Sequence, residues 1–162
     1  MKRKDEFYFE RAVDLAEQAL ARGDDGFASV LVGPDGEVLL EKGNEAGATS
    51  HNPLNHDTFV LINEAVQKYD RDFLSKCTIY AVMEPCVMCM GAAFWAGIEH
   101  VKFAMSEAEM DALLPGGLEI HSKEFAERSP RPMDSEGPYP EIEGAYTVVK
   151  KWIRSLGVTV KE

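Results

Sequence analysis

The chain has 162 residues, 45% of them hydrophobic, and sets 17 basic against 28 acidic side chains, a formal net charge of −11. That length suits one globular domain over residues 1–162 with a sizeable core, and the acidic excess argues against a polyanionic partner, which clustered Lys and Arg would have to recognise. No apolar run approaches the ~20 residues of a membrane span, and the start Met1-Lys2-Arg3-Lys4 leads into an amphipathic pattern, not a signal-peptide core.

Residues 5–22 place Phe9, Ala12, Val13, Ala16, Ala19 and Leu20 on one helical stripe. Gly23 stops that helix and Asp24-Asp25-Gly26 turns the chain. The spacing then predicts a hairpin: a strand over 27–32, the turn Gly33-Pro34-Asp35-Gly36, and a return strand over 37–41. Residues 43–55 lack periodicity and form a loop ending at His56. A helix carrying Phe59, Val60, Ile62, Ala65, Val66 and Tyr69 follows, then an apolar strand over 77–83.

Met83-Glu84-Pro85-Cys86-Val87-Met88-Cys89-Met90 joins that strand to a small, apolar helix. Pro85 suits a helix opening, where its missing N–H costs nothing. The two cysteines therefore fall in the first turns, where the helix dipole and free N–H groups favour thiolates. Thiolates three apart can share a soft metal ion. His56 is the best upstream third ligand, and one His with two Cys leaves a fourth position for water, the pattern of a catalytic rather than a structural zinc site. A redox pair or two inert core cysteines are the other readings of C-x-x-C, although a thioredoxin-like pair carries its proline between the cysteines. Three cysteines, two of them in a metal-like motif, suit a reducing cytoplasm.

Residues 99–105 read as a strand, and Ser106-Glu107-Ala108-Glu109 as a capping box opening a short helix. Leu114-Pro115-Gly116-Gly117 ends it. Residues 118–138 carry no clear pattern, and residues 141–156 form a last amphipathic helix with Ile142, Ala145, Val148, Val149 and Ile153 on its stripe. Helices alternating with strands favour a three-layer α/β/α domain.

His56 followed by Pro85-Cys86-Val87-Met88-Cys89 resembles the signature of the cytidine deaminase-like superfamily of zinc deaminases. Phe27-Ala28-Ser29-Val30 resembles that family's first strand, Lys42-Gly43-Asn44 its G-x-N element, and Gly91-Ala92-Ala93-Phe94-Trp95-Ala96-Gly97-Ile98 the helix of its guanine and purine deaminase branch. Gly137-Pro138 followed by Glu141 and Glu143 is similar to the late G-P-x-x-E of that branch. The resemblance implies the cytidine deaminase-like fold, a central mixed sheet flanked by helices. It implies Zn2+ on His56, Cys86 and Cys89, and a small nucleobase or nucleoside-like substrate held by Asn44, Phe27 and Thr58. It also implies a homodimer, with the apolar helix around Trp95 compatible with such an interface or with an ordinary core. The reaction it implies is hydrolytic loss of ammonia from an amino-substituted heterocycle.

The chain departs from the pattern at one decisive place. Two residues after His56, where the family carries a proton-transferring glutamate, stands Thr58. A hydroxyl cannot store a proton near neutral pH, and a positioned acid–base group is worth about 10²–10⁴ in rate. Replacement carboxylates are Asp57, Glu84, Glu141 and Glu143. The alternatives are a chain that keeps zinc for binding or scaffolding without catalysis, as in one subunit of the two-subunit tRNA adenosine deaminases, or a substitution introduced to trap substrate.

Overall fold

The structure, a computed structural model, describes residues 1–161. In chain order it runs α1 (Arg3–Ala21), β1 (Ala28–Val32), β2 (Val38–Gly43), α2 (Asp57–Lys68), α3 (Arg71–Leu74), β3 (Thr78–Met83), α4 (Val87–Ala96), β4 (His100–Met105), α5 (Glu107–Leu113), α6 (Ser122–Arg128), β5 (Asp134–Glu136) and α7 (Glu143–Ser155). The five strands form one mixed sheet in the order β2-β1-β3-β4-β5. β1 is antiparallel to both β2 and β3, whereas β3, β4 and β5 are parallel. No helix among the described residues is long and apolar enough to cross a membrane.

Both faces of the sheet are buried, which is why its central strands read as continuous apolar runs. Along β1 and β3 successive side chains alternate between two cores. Val30, Val32, Tyr80 and Val82 face α1 and α7, where they meet Phe9, Ala12, Ala16, Ala145, Val148, Val149 and Ile153. Leu31, Ile79 and Ala81 face α2 and α4, where they meet Leu61, Ile62, Ala65, Met90 and Ala93. The expected three-layer architecture with a mixed central sheet is therefore present.

Three short elements were not legible as periodic patterns. α3 is a single turn capped by Asp70, whose side chain accepts from Phe73 N. α6 and β5 lie in the stretch that carried no clear pattern, and β5 (Asp-Ser-Glu) contains no apolar residue at all. The capping box at Ser106 and Glu109 is present with both reciprocal hydrogen bonds.

Strand direction decides what meets at one rim. Because β1 runs against β3, with Ser29 opposite Ala81 and Val32 opposite Thr78, the start of β1 lies beside the end of β3. Because β2 runs against β1, with Gly43 opposite Ala28, the end of β2 lies there too. The ends of the parallel pair β3 and β4 complete the rim, Met83 standing opposite Met105. In open α/β sheets that rim, outside the carboxyl ends of parallel strands, is where ligands bind.

Candidate active site

Three side chains converge at this rim. His56 is the N-cap residue of α2, Cys86 the N-cap residue of α4, and Cys89 lies one turn further into α4. His56 Nδ1 is 3.5 Å from Cys86 Sγ and 3.9 Å from Cys89 Sγ, and all three donor atoms lie within 4.8 Å of one another. Zinc bonds of about 2.1 Å to nitrogen and 2.3 Å to sulfur at tetrahedral angles put donors about 3.6 Å apart, so the spacing and the donor chemistry fit a zinc ion with one corner left over. The two thiols differ sharply in their hold on a proton. The hydrogen bond with Cys89, reinforced by His56, pulls the Cys86 thiol down to about 4, while Cys89 is pushed up by its bond to Cys86 and by burial. His56 is raised, chiefly by Cys86.

A small cavity of about 100 Å3 abuts the triad and is lined by Phe27, Asn44, Asp57, Thr58, Met83 and Glu84 along with the three donors and Asp25 and Pro85. The rim geometry explains how residues from such distant stretches meet. Asn44 is held in place by its backbone N–H to Phe27 O at 2.9 Å. Its side-chain Oδ1 accepts from Ala46 N at 2.8 Å and Asp25 N at 3.2 Å, which fixes the loop behind it. Phe27 packs edge-to-face on Trp152 of α7 at 4.8 Å between ring centroids.

Asp57 and Thr58 begin α2 and are both buried. Thr58 Oγ1 lies 3.3 Å from Ser29 Oγ and 3.3 Å from Asp57 Oδ2. Burial pushes the Asp57 carboxyl up, against the opposing pull of Ser29 and His56. Of the carboxylates considered as replacements for the missing glutamate, Asp57 is therefore at the cavity wall.

The others are elsewhere or already engaged. Glu141 and Glu143 are exposed, on the approach to α7 and at its first residue, and neither lines the cavity. In this chain they stand apart from that cavity: the apolar stripe of α7 turns inward against α1, and these two acids fall on the solvent side. Glu84 does line the cavity, but its carboxylate is bound on both oxygens. Oε2 accepts from Glu107 N at 2.8 Å, and Oε1 accepts from Ser122 N at 2.7 Å and Ser122 Oγ at 2.6 Å. It ties the first residues of α5 and α6 to the metal-motif loop.

A second, larger cavity of about 510 Å3 adjoins the first, sharing Asp25, Phe27, His56, Met83 and Cys86, and is otherwise bounded by Met88, Glu107, Met110, the 114–118 loop and Trp152. The sequence signals missed Glu107, Met110 and Trp152. Glu107 was masked by the capping box around it, and Trp152 by its place on an amphipathic stripe. On the opposite side of α4, Trp95 is 75% exposed and, with Phe59, Ile62, Val66, Ala92 and Ala96, bounds a shallow apolar groove. In this chain Trp95 is thus not part of an ordinary core.

Comparison with known proteins gives a consistent picture. The family model described as the cytidine and deoxycytidylate deaminase zinc-binding region matches residues 2–105. A probable cytosine deaminase of Schizosaccharomyces pombe is 30% identical over 148 residues, covering 86% of this chain and 87% of that protein. Guanine deaminase of Bacillus subtilis is 31% identical over 104 residues, covering 64% of this chain and 66% of that protein. Among solved structures, guanine deaminase from Nitrosomonas europaea superposes with a TM-score of 0.73 at 18% identity, over 91% of this chain and 83% of that one.

Proposed function

The chain belongs to the family defined by the cytidine and deoxycytidylate deaminase zinc-binding region, and on that footing we propose that it is a zinc-dependent aminohydrolase of a small amino-substituted heterocycle, a guanine-type purine base or nucleoside. The observation that carries this reading is the convergence of His56, Cys86 and Cys89 on a tetrahedral spacing beside a cavity walled by Phe27, Asn44, Asp57 and Thr58. Zinc held by that triad would supply Lewis acidity and lower the pKa of a bound water toward neutrality.

The chain's own residues do the rest. Phe27 and Met83 offer flat and polarisable apolar surface to a planar ring. Asn44 holds the loop wall at a fixed distance from β1. Asp57 is the proton carrier in this reading: a buried carboxyl on the wall of the cavity, held by hydroxyls on the side of Ser29 and Thr58. Thr58 keeps that carboxyl oriented and contributes a hydroxyl to the substrate edge. We place the protein in the cytoplasm, as one domain that pairs as a homodimer through the groove around Trp95.

The test is ammonia release from a panel of nucleobases, nucleosides and triazines by protein carrying one zinc per chain. Turnover of a purine base, abolished by about 10² or more in Asp57→Asn, is the expected result. Absence of turnover on every compound removes the enzyme reading. It would favour a zinc-binding subunit that binds without catalysis, the reading that the Thr58–Ser29 hydroxyl pair at the glutamate position supports.

A further inference from the structure

The two cavities at the rim are lined by the acids Asp25, Asp57, Glu84, Glu107 and Asp111, and neither is lined by a lysine or an arginine. Like charges facing each other disfavour binding, so that wall suits groups that donate hydrogen bonds rather than anions. Four of the acids are engaged or withdrawn. Glu84 accepts from Glu107 N and from Ser122 on its two oxygens. Glu107 is 4% exposed, and Asp57 is buried beside Thr58. Asp111 accepts from Gly117 N at 3.2 Å and lines the outer cavity only.

Asp25 is different. It is half-buried and lines both cavities, in company with Phe27, His56, Met83 and Cys86. Three hydrogen bonds hold it in one pose. Its N–H donates to Asn44 Oδ1 at 3.2 Å, its carbonyl accepts from Phe27 N at 2.8 Å, and its Oδ1 accepts from Trp152 Nε1 at 2.9 Å. The second carboxylate oxygen, Oδ2, is left over: among the described residues it takes neither a hydrogen bond nor an ion pair. It is not shut away either, because the buried side-chain oxygens without a partner are Glu64 Oε2 and Glu107 Oε2 alone. An acceptor held in place before a ligand arrives loses little freedom on binding. A few polar groups of this kind in a wall that is mostly apolar, here from Phe27, Leu54, Met83, Met88, Met110 and Leu114, are what orient a small ligand.

We propose that Asp25 is a substrate-binding residue whose Oδ2 accepts a ring N–H of the heterocycle, so that the site selects bases carrying such a donor. This inference rests on the aminohydrolase reading for the presence of a heterocycle in the cavity and deepens it by naming the acceptor. In that reading the amine to be lost lies at the triad, which leaves a ring N–H as the donor for Asp25. The bond to Trp152 fixes what Asp25→Asn would do. Trp152 Nε1 still requires an acceptor, so the amide oxygen takes the place of Oδ1 and the NH2 group takes the place of Oδ2. A donor then faces the donor of the substrate, while the contact with Trp152 is kept.

The experiment measures kcat/KM for ammonia release from guanine and from 1-methyl-, 7-methyl- and 9-methylguanine, with zinc-loaded wild type and zinc-loaded Asp25→Asn. The expected result has two parts. In the wild type one methyl group, the one replacing the recognised N–H, lowers kcat/KM at least about tenfold. In Asp25→Asn, guanine itself falls at least about tenfold and that discrimination disappears, with one zinc per chain retained. If Asp25 only holds Trp152, guanine turnover by Asp25→Asn is unchanged. That result, or a wild type that uses all three methylguanines as well as guanine, overturns the inference and leaves the aminohydrolase reading intact. Discrimination that persists in Asp25→Asn overturns it as well, since a steric clash and not a lost hydrogen bond would then be its cause. Loss of zinc from Asp25→Asn overturns it by making Asp25 a support for His56. A wild type that releases no ammonia from any of the four overturns both.

Discussion

Replacing Glu107 with glutamine should make the folded protein more stable above neutral pH and leave it nearly unchanged below pH 4. In the unfolded chain the carboxyl releases its proton near the ordinary value of 4.5, but in the folded chain burial, with Glu84 as the next contributor, pushes that up to about 7. Between the two values the folded state binds the extra proton, so stability falls as pH rises through this window and the loss is complete above about 7. At about 1.4 kcal/mol per pH unit, the span amounts to about 3 kcal/mol at most. Glutamine keeps the shape and cannot ionise, so it should recover most of that. Urea unfolding of wild type and Glu107→Gln at pH 4, 5, 6, 7 and 8 measures it, and subtracting one curve from the other cancels the titration of every other group. A difference that is flat across the series, or one that grows toward acid, would refute the placement of this carboxyl beside Glu84 in a water-poor pocket.

Other consequences are equally direct. Glu84→Gln replaces an acceptor of three short hydrogen bonds, which at roughly 1.5–3 kcal/mol for bonds to a charged group should destabilise the protein by about 2–4 kcal/mol in the same unfolding assay. Cys86→Ala, Cys89→Ala and His56→Ala should each lower bound zinc from one per chain to near zero by elemental analysis, whereas Cys77→Ala, a buried β3-edge thiol pushed up to about 11, should retain it. Thr58→Glu restores a proton carrier where a hydroxyl stands and should raise ammonia release about 10²–10⁴-fold; no gain would mean that Asp57 already fills that role or that the wall rejects the longer side chain. Trp95→Glu should halve the mass seen by sedimentation, and an unchanged mass would remove the groove around Trp95 as the pairing surface.

What the sequence disclosed follows its periodicities. α1, α2, α4 and α7 carry apolar stripes or apolar runs, and β1, β3 and β4 carry long buried runs, because each presses one or two faces into a core. The candidate metal-ligand triad was legible because P-C-x-x-C fixes the geometry within one turn and leaves only the histidine to be found. α6 and β5 were not legible because β5 has no apolar residue and α6 turns only Phe125 and Ala126 inward, too few to mark a periodicity. α6 is set by the bonds of Ser122 to Glu84, 38 residues away, and β5 by backbone pairing of Asp134 and Ser135 with His100 and Val101. The carboxylates were the least legible. Glu141, Glu143, Glu84 and Glu107 are alike in sequence, each near the start of a helix, and only the fold separates two on the surface from one fully bound and one buried with an oxygen unpaired.

The reversed first hairpin has a practical corollary. Five residues of β1 at about 3.3 Å each place the Gly33–Gly36 turn some 17 Å from Phe27, at the far edge of the sheet from the zinc-type triad. A fluorophore, an affinity peptide or several added residues can be spliced into that bend without reaching the rim that carries the candidate site. One residue inserted between Asp24 and Phe27 would instead rotate the aromatic wall out of the pocket, so tolerance to grafting should differ sharply between the two ends of the same short strand.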